Sequence, residues 1–232
     1  MTAPPRWPTV LFDLDGTLVD TIDLITSSYD YALGAVLGTS RPPEQVRSWI
    51  GRTLRSALAE DYPEHVDELE AAYLRWNRAN TARLLRPYAG VETMVRDLLD
   101  AQVRIGVATS KRQESAATAL RLVGLTDLID VVAAMEDTST HKPDPAPLLH
   151  AAARLSSPPE HCVYVGDAAV DVRAAQAAGM SAIAVTWGAG VRDELAAVQP
   201  EAIVDSVADL TVLLLGSAQG KIARCTKSAM RT

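Results

Sequence analysis

Cysteine is scarce in this chain. The two present, Cys162 and Cys225, lie far apart and form no CxxC pair, which excludes a redox or zinc motif of that type. Cys162 stands in an apolar run and is expected to be a reduced packing residue. Histidine is sparse too: His65, His150 and His161 show no metal spacing, and His141 reads as a neighbour of Lys142. Phenylalanine occurs once, at Phe12, so the 48% of hydrophobic residues is mostly Ala, Val and Leu. No apolar run is long enough to span a bilayer, so no membrane partner is expected. The N-terminal MTAPPRWP lacks an apolar signal core, and the expected location is the cytoplasm. Positive charge is also in deficit. The net charge is -7, which argues against nucleic acid, whose phosphates demand clustered Lys and Arg. The composition is that of a soluble globular protein, and 232 residues suit one large domain or two small ones.

What the chain does have is a series of short apolar runs, each closed by a small or polar group. They are TVLF before Asp13, Val103–Thr109, Leu128–Ala134, His161–Asp167, Ser181–Gly188 and, more weakly, Glu201–Asp205. Runs of this length suit strands buried on both faces of a parallel sheet. Amphipathic helical patterns separate them, as in VETMVRDLLDAQ, where Val91, Met94, Val95, Leu98 and Leu99 share a face. Strand alternating with helix predicts a doubly wound α/β fold. Residues 20–86 break the alternation. TIDLITSSYDYALGAVLG, VRSWIGRTLRSALAE and PEHVDELEAAYLRWNRANTARLL read as three helices, punctuated by prolines 42, 43, 63 and 87. The division expected is a Rossmann-like core of residues 1–19 and 87–216 and an inserted helical cap of 20–86. Asp20 and Arg86 fall at the hinges, and residues 217–232 form a disordered tail carrying Lys221, Arg224, Lys227 and Arg231 but no acid.

Ligands of open parallel sheets bind at the carboxyl ends of the strands. Four polar clusters fall there: Asp13/Asp15, Thr109/Ser110/Lys111, His141/Lys142 and Asp167/Asp171. Singly, each has an ordinary explanation, as a solvated loop, a helix cap or a turn. Together they form a convergent set. Asp13, Asp167 and Asp171 would be intolerable as a dry cluster, but suit a hard divalent cation such as magnesium, which shares its shell with phosphates. Lys142 and Thr109 are then donors for phosphate oxygens. The turn DLDGT, Asp13 to Thr17, would offer the N–H groups of Leu14 and Asp15 as an anion nest, with Gly16 allowing the bend.

The segments DLDGT (13–17), ATS (108–110), HKPDP (141–145) and GDAAVD (166–171) resemble the four motifs of the haloacid dehalogenase superfamily. FDLDGTLVDT followed by a helical insertion is similar to its phosphoglycolate phosphatase-like branch, which also holds an inorganic pyrophosphatase. The resemblance covers the chain to about Gly216. It implies a magnesium-dependent phosphatase acting on a small phosphomonoester, resembling phosphoglycolate, through an aspartyl-phosphate. Asp13 would be nucleophile and metal ligand. Asp15 would be general acid/base, with its backbone carbonyl on the metal. Thr109, Ser110 and Lys142 would hold phosphoryl oxygens, with Lys142 bridging to the nucleophile. Asp167 would be a direct metal ligand and Asp171 a supporting one. Asp15 argues against a true haloacid dehalogenase, which lacks that second aspartate.

The substrate stays open. Within the superfamily a pyrophosphatase or a phosphosugar mutase would use the same motifs. Outside it, a phospho-accepting receiver domain also gathers acids, a hydroxyl and a lysine at strand ends. A partner other than a small phosphorylated metabolite is not expected, and either a monomer or a homodimer fits. Gly51-Arg52 in the cap is the candidate specificity loop, because Arg can pair with a carboxylate or second phosphate; an exposed helical Arg52 is an equal alternative.

Overall fold

The computed structural model describes residues 5–216. The chain enters through β1 (Thr9–Phe12), whose four residues are all buried. Next come β2 (Val19–Asp20), α1 (Ile22–Leu37), α2 (Pro43–Arg47), α3 (Leu54–Asp61), α4 (Val66–Leu84) and β3 (Arg86–Pro87). Alternation then begins: α5 (Val91–Asp100), β4 (Arg104–Ala108), α6 (Gln113–Leu122), β5 (Val131–Ala133), α7 (Ala146–Arg154), β6 (Cys162–Gly166), α8 (Ala169–Ala177), β7 (Ser181–Val185), α9 (Arg192–Ala197), β8 (Ala202–Val204) and α10 (Val207–Leu215). The main sheet has the order β5-β4-β1-β6-β7-β8, and every pairing in it is parallel.

The period-2 geometry of a strand divides β1 between two cores. Val10 and Phe12 join a cluster built with Met94, Val95 and Leu98 of α5. Leu11 joins a cluster on the opposite face with Leu148 of α7 and Val172 of α8. With both faces covered, the strands are apolar throughout. A third cluster is formed by the four helices between β2 and β3, around Tyr29, Leu33, Trp49, Leu58 and Leu69. The fold is therefore the expected α/β parallel sheet with a helical insertion. Cys162 is buried in β6 and has no disulfide partner among the described residues.

Two local expectations are corrected. The single helix read over VRSWIGRTLRSALAE is two. Gly51 takes φ +90°, a left-handed value that interrupts a helix. Thr53 then starts α3, its side chain accepting a hydrogen bond from the Ser56 N–H. The strand expected from Leu128 begins only at Val131, because the amides of Leu128 and Ile129 both bond back to the Leu125 carbonyl in a turn. The insertion is joined to the core through a short ladder. Strands β2 and β3 pair antiparallel, Val19 with Pro87 and Asp20 with Arg86, at its two ends.

No helix among the described residues is long and apolar enough to cross a membrane. The basic stretch expected as a disordered tail, with Cys225, lies outside the described residues.

Candidate active site

Because β4, β1 and β6 are neighbours in the sheet, Thr109, Asp13 and Asp167 leave adjacent strand ends. Asp13 keeps the ladder for one residue more, its N–H donating to the Val165 carbonyl at 2.8 Å. The chain then turns at Gly16, with φ +76°. A Cβ at Gly16 would overlap the Asp167 carboxylate, so only glycine brings these two loops together. Asp171 lies in the first turn of α8, where its Oδ2 accepts from the Ala168 N–H at 3.0 Å.

Asp13, Asp167 and Asp171 each offer a carboxylate oxygen, and these atoms lie within 4.8 Å of one another. All three residues are buried. Lys142, also buried, enters from the loop before α7. Its Nζ donates to Asp13 Oδ1 at 2.9 Å, to Asp171 Oδ1 at 2.6 Å and to the Tyr164 hydroxyl at 3.0 Å. Tyr164 in turn donates to the Ala108 carbonyl at 2.7 Å.

The electrostatics are lopsided. Burial pushes the Asp13 carboxyl up to about 7, with Lys142 pulling the other way and Asp171 and Asp15 adding to the rise. Burial also carries Asp167 well above the usual carboxylate range, with Asp171 and Asp13 reinforcing it and the Ala189 N–H opposing it. Lys142 responds in the opposite sense: burial would lower it, but Asp13 and Asp171 together hold it well above its ordinary value. A simple ion pair would lower its acid and raise its base. Here the lysine is well supplied with negative charge while Asp13 and Asp167 lack positive charge. Three carboxylates with one ammonium group are two charges from neutral, and an all-oxygen donor set of this density fits a hard divalent cation.

Asp15 faces a different environment. Its Oδ1 accepts from Thr21 at 2.7 Å, and Lys111 Nζ reaches Oδ1 and Oδ2 at 2.8 and 3.0 Å. Asp13, Asp15, Thr109, Ser110 and Lys111 line one cavity of about 90 Å³ between the sheet and the inserted helices, and Arg52 lines its far wall. Thr109 is buried, with its Oγ1 accepting from the Lys111 N–H at 3.1 Å. Ser110 donates its hydroxyl to the Gly51 carbonyl of the insertion at 2.8 Å. Leu14 is fully buried, and its carbonyl takes the N–H groups of Thr17, Leu18 and Val19, so its own N–H is what it has to offer a ligand. Arg52 stands in the loop between α2 and α3, not on a helix, paired with Glu60 at 2.6 Å.

Sequence reasoning missed three groups here and one pairing. Tyr164 gives one signal, a hydroxyl inside a wholly buried strand. Lys111 was grouped with Thr109, but its pairing with Asp15, 96 residues away, leaves no trace in the sequence. Glu70 on α4 accepts from Arg112 at 3.2 Å and Arg55 at 2.8 Å, tying the insertion to the core at the cavity mouth. The loop after β7 also reaches Asp167: the Ala189 N–H donates to its Oδ2 at 2.6 Å.

Residues 10–185 match the family of haloacid dehalogenase-like hydrolases. The chain belongs to that family. A pyrophosphatase PpaX of Bacillus cereus is 33% identical over 209 residues, spanning 90% of this chain and 97% of the relative. Another, from Anoxybacillus flavithermus, is 32% identical over 89% of this chain and 96% of its own. Among solved structures, a predicted phosphatase from Clostridium acetobutylicum superposes with a TM-score of 0.79 at 26% identity, over 88% of this chain and 96% of that one. A predicted phosphoglycolate phosphatase from Haemophilus somnus shares the fold, with a TM-score of 0.77 at 23% identity over 88% and 96% of the two chains. The resemblance drawn from the four motifs thus stands. This is a hydrolase of the haloacid dehalogenase-like family, and family membership sets aside the receiver-domain reading.

Proposed function

We propose that this haloacid dehalogenase-like hydrolase is a magnesium-dependent phosphatase and hydrolyses a small phosphomonoester with an anionic leaving group, of the 2-phosphoglycolate kind, by way of phosphate carried on Asp13. The observation that carries the reading is the buried cluster of Asp13, Asp167 and Asp171 with Lys142 laid across two of its members. Asp13, Asp167 and Asp171, with the Asp15 carbonyl, would hold the magnesium, which when bound keeps the carboxylates ionised and offsets charge on the phosphoryl oxygens.

Each side chain then has a task. A carboxylate oxygen of Asp13 attacks phosphorus in line, and the bond from phosphorus to the leaving oxygen breaks on the far side. Asp15 gives its proton to that oxygen, then takes one from the water that attacks phosphorus and releases Asp13. Lys142 and Thr109, with the N–H groups of Leu14, Asp15 and Ser110, meet the phosphoryl oxygens. The insertion, residues 20–86, acts as a cap that excludes water and reads the leaving group. A cavity of about 90 Å³ bordered by Lys111, Arg52 and Arg112 supports a leaving group that is small and negatively charged.

A second reading is inorganic pyrophosphate as substrate. It is favoured by relatives at 33% identity that are named pyrophosphatases and align along nearly their whole length. Steady-state kcat/KM for 2-phosphoglycolate, pyrophosphate, hexose phosphates and nucleoside monophosphates, each with magnesium and with chelator, tests both. Highest activity on 2-phosphoglycolate supports the first reading and highest activity on pyrophosphate the second. An isomeric sugar phosphate as product marks a mutase instead. Full turnover in chelator overturns the metal assignment.

A further inference from the structure

The loop that follows β7, Thr186 to Gly190, is built into both halves of the molecule. On the core side, the Ala189 N–H donates to Asp167 Oδ2 at 2.6 Å. A side chain at Gly188 would overlap the Asp167 carboxylate, and one at Gly190 would overlap the Asp167 carbonyl, so the loop lies directly against that residue. The Trp187 indole N–H donates to the Thr17 carbonyl at 3.1 Å, fixing the loop to the turn that follows Asp13 and Asp15. On the other side, the Ala189 methyl packs into the hydrophobic cluster of the inserted helices, with Trp49 and Ile50 among its members. Arg47, at the end of α2, donates from Nη2 to the Gly188 carbonyl at 3.2 Å. One peptide unit, Gly188–Ala189, therefore has its carbonyl held by the insertion and its N–H held by Asp167.

We propose that this peptide unit couples the position of the inserted helices to the orientation of the Asp167 carboxylate, with Arg47 as a positioning residue for metal binding. The inference rests on Asp167 being a metal ligand, as assigned above. A peptide group is planar and rigid, so a pull on its carbonyl rotates its N–H. When the insertion lifts from the core, the Gly188 carbonyl loses Arg47 and Ala189 loses its apolar neighbours. Asp167 then keeps an N–H that is no longer braced. Groups hydrogen-bonded to a ligand fix its orientation and tune its affinity for the ion. Coupling of this kind is reciprocal, so metal should favour the seated position of the insertion as strongly as that position favours metal.

Arg47 is solvent-exposed and touches no reacting group, so Arg47→Ala should fold; circular dichroism checks this. The test is Mn²⁺ binding to the full chain, read by electron paramagnetic resonance without substrate. Arg47→Ala is expected to weaken Mn²⁺ binding about 3- to 10-fold, at or below the low end of what losing an outer-shell partner costs. Arg47→Lys, which keeps a donor, should recover part of the loss. In the wild type, adding Mn²⁺ should slow hydrogen exchange at the amides of α2 and of residues 187–190, and should do so less in Arg47→Ala. Equal Mn²⁺ affinity in wild type and Arg47→Ala, or α2 amides indifferent to Mn²⁺ in the wild type, overturns the coupling while leaving the metal site intact. A wild type that binds no Mn²⁺ overturns the metal assignment and the coupling together.

Discussion

Asp13 and Asp15 stand two residues apart in different surroundings, and one substitution at each should separate their tasks. Asp13 lies in the buried carboxylate cluster against Lys142. Asn there removes the nucleophile and weakens a ligand set, and turnover of every substrate is expected to vanish. Asp15 is held by Lys111 and Thr21 at the cavity. With Asp15→Asn, an alkyl phosphate loses protonation of its leaving oxygen, and its first step should slow by roughly two to four orders of magnitude. p-Nitrophenolate needs no such proton. The same variant given p-nitrophenyl phosphate should release a burst of at most one equivalent and leave phosphate on Asp13, visible by mass spectrometry after rapid quenching. Absence of both burst and phosphoprotein, with an active wild type, removes the support for Asp15 in the second step. Tyr164→Phe probes the floor of the site. It deprives the Ala108 carbonyl of a donor and Lys142 of an acceptor, and should cost about 1–3 kcal/mol of stability, measured by denaturant unfolding.

Among the elements, those legible in the sequence were the ones with a strong periodic signal. Strands β1 and β6 are buried on both faces, so they read as unbroken apolar runs. The family motifs lie at their ends. Strands β2 and β3, at two residues each, have no period to detect. The break between α2 and α3 was missed because helical spacing continues through WIGRTL, whereas the backbone leaves the helix there, with Gly51 left-handed and Thr53 extended. That break governs specificity in the proposed mechanism. It places the Gly51 carbonyl on Ser110 and turns Arg52 toward the cavity. Arg52→Ala is therefore expected to raise KM for a substrate with an anionic leaving group and to spare p-nitrophenyl phosphate. Equal losses on both would make Arg52 structural. Pairings such as Lys111 with Asp15 and Glu70 with Arg112 were illegible for another reason: they join separate elements, and only the completed fold brings them together.

For the whole molecule, the charge imbalance of the site makes stability depend on pH and metal together. In metal-free protein Asp13 is raised from the ordinary 3.8 to about 7, chiefly by burial, and Asp167 is raised as well. Between those values the folded state holds a proton that the unfolded chain has given up. The stabilisation is complete below about pH 4 and is lost as pH rises through about 7. The melting temperature in chelator should accordingly fall between about pH 5 and pH 8 in differential scanning fluorimetry. Magnesium should restore more of it at the higher pH, since metal and proton compete for the same carboxylates. A melting temperature in chelator that is flat or rising over this range means that Asp13 is already ionised without metal.

The short ladder of β2 and β3 sets Asp20 opposite Arg86, so the 65 residues between them depart from and return to one place. To the sheet, that stretch is a closed loop whose length does not matter, because lengthening a loop with fixed ends costs little. A different helical unit could be grafted between Asp20 and Arg86, or a short glycine tie could replace it, with the strand order undisturbed. Selectivity could then be exchanged at a seam two residues wide, with the chemistry following only where the new unit braces the Gly188 carbonyl as Arg47 does.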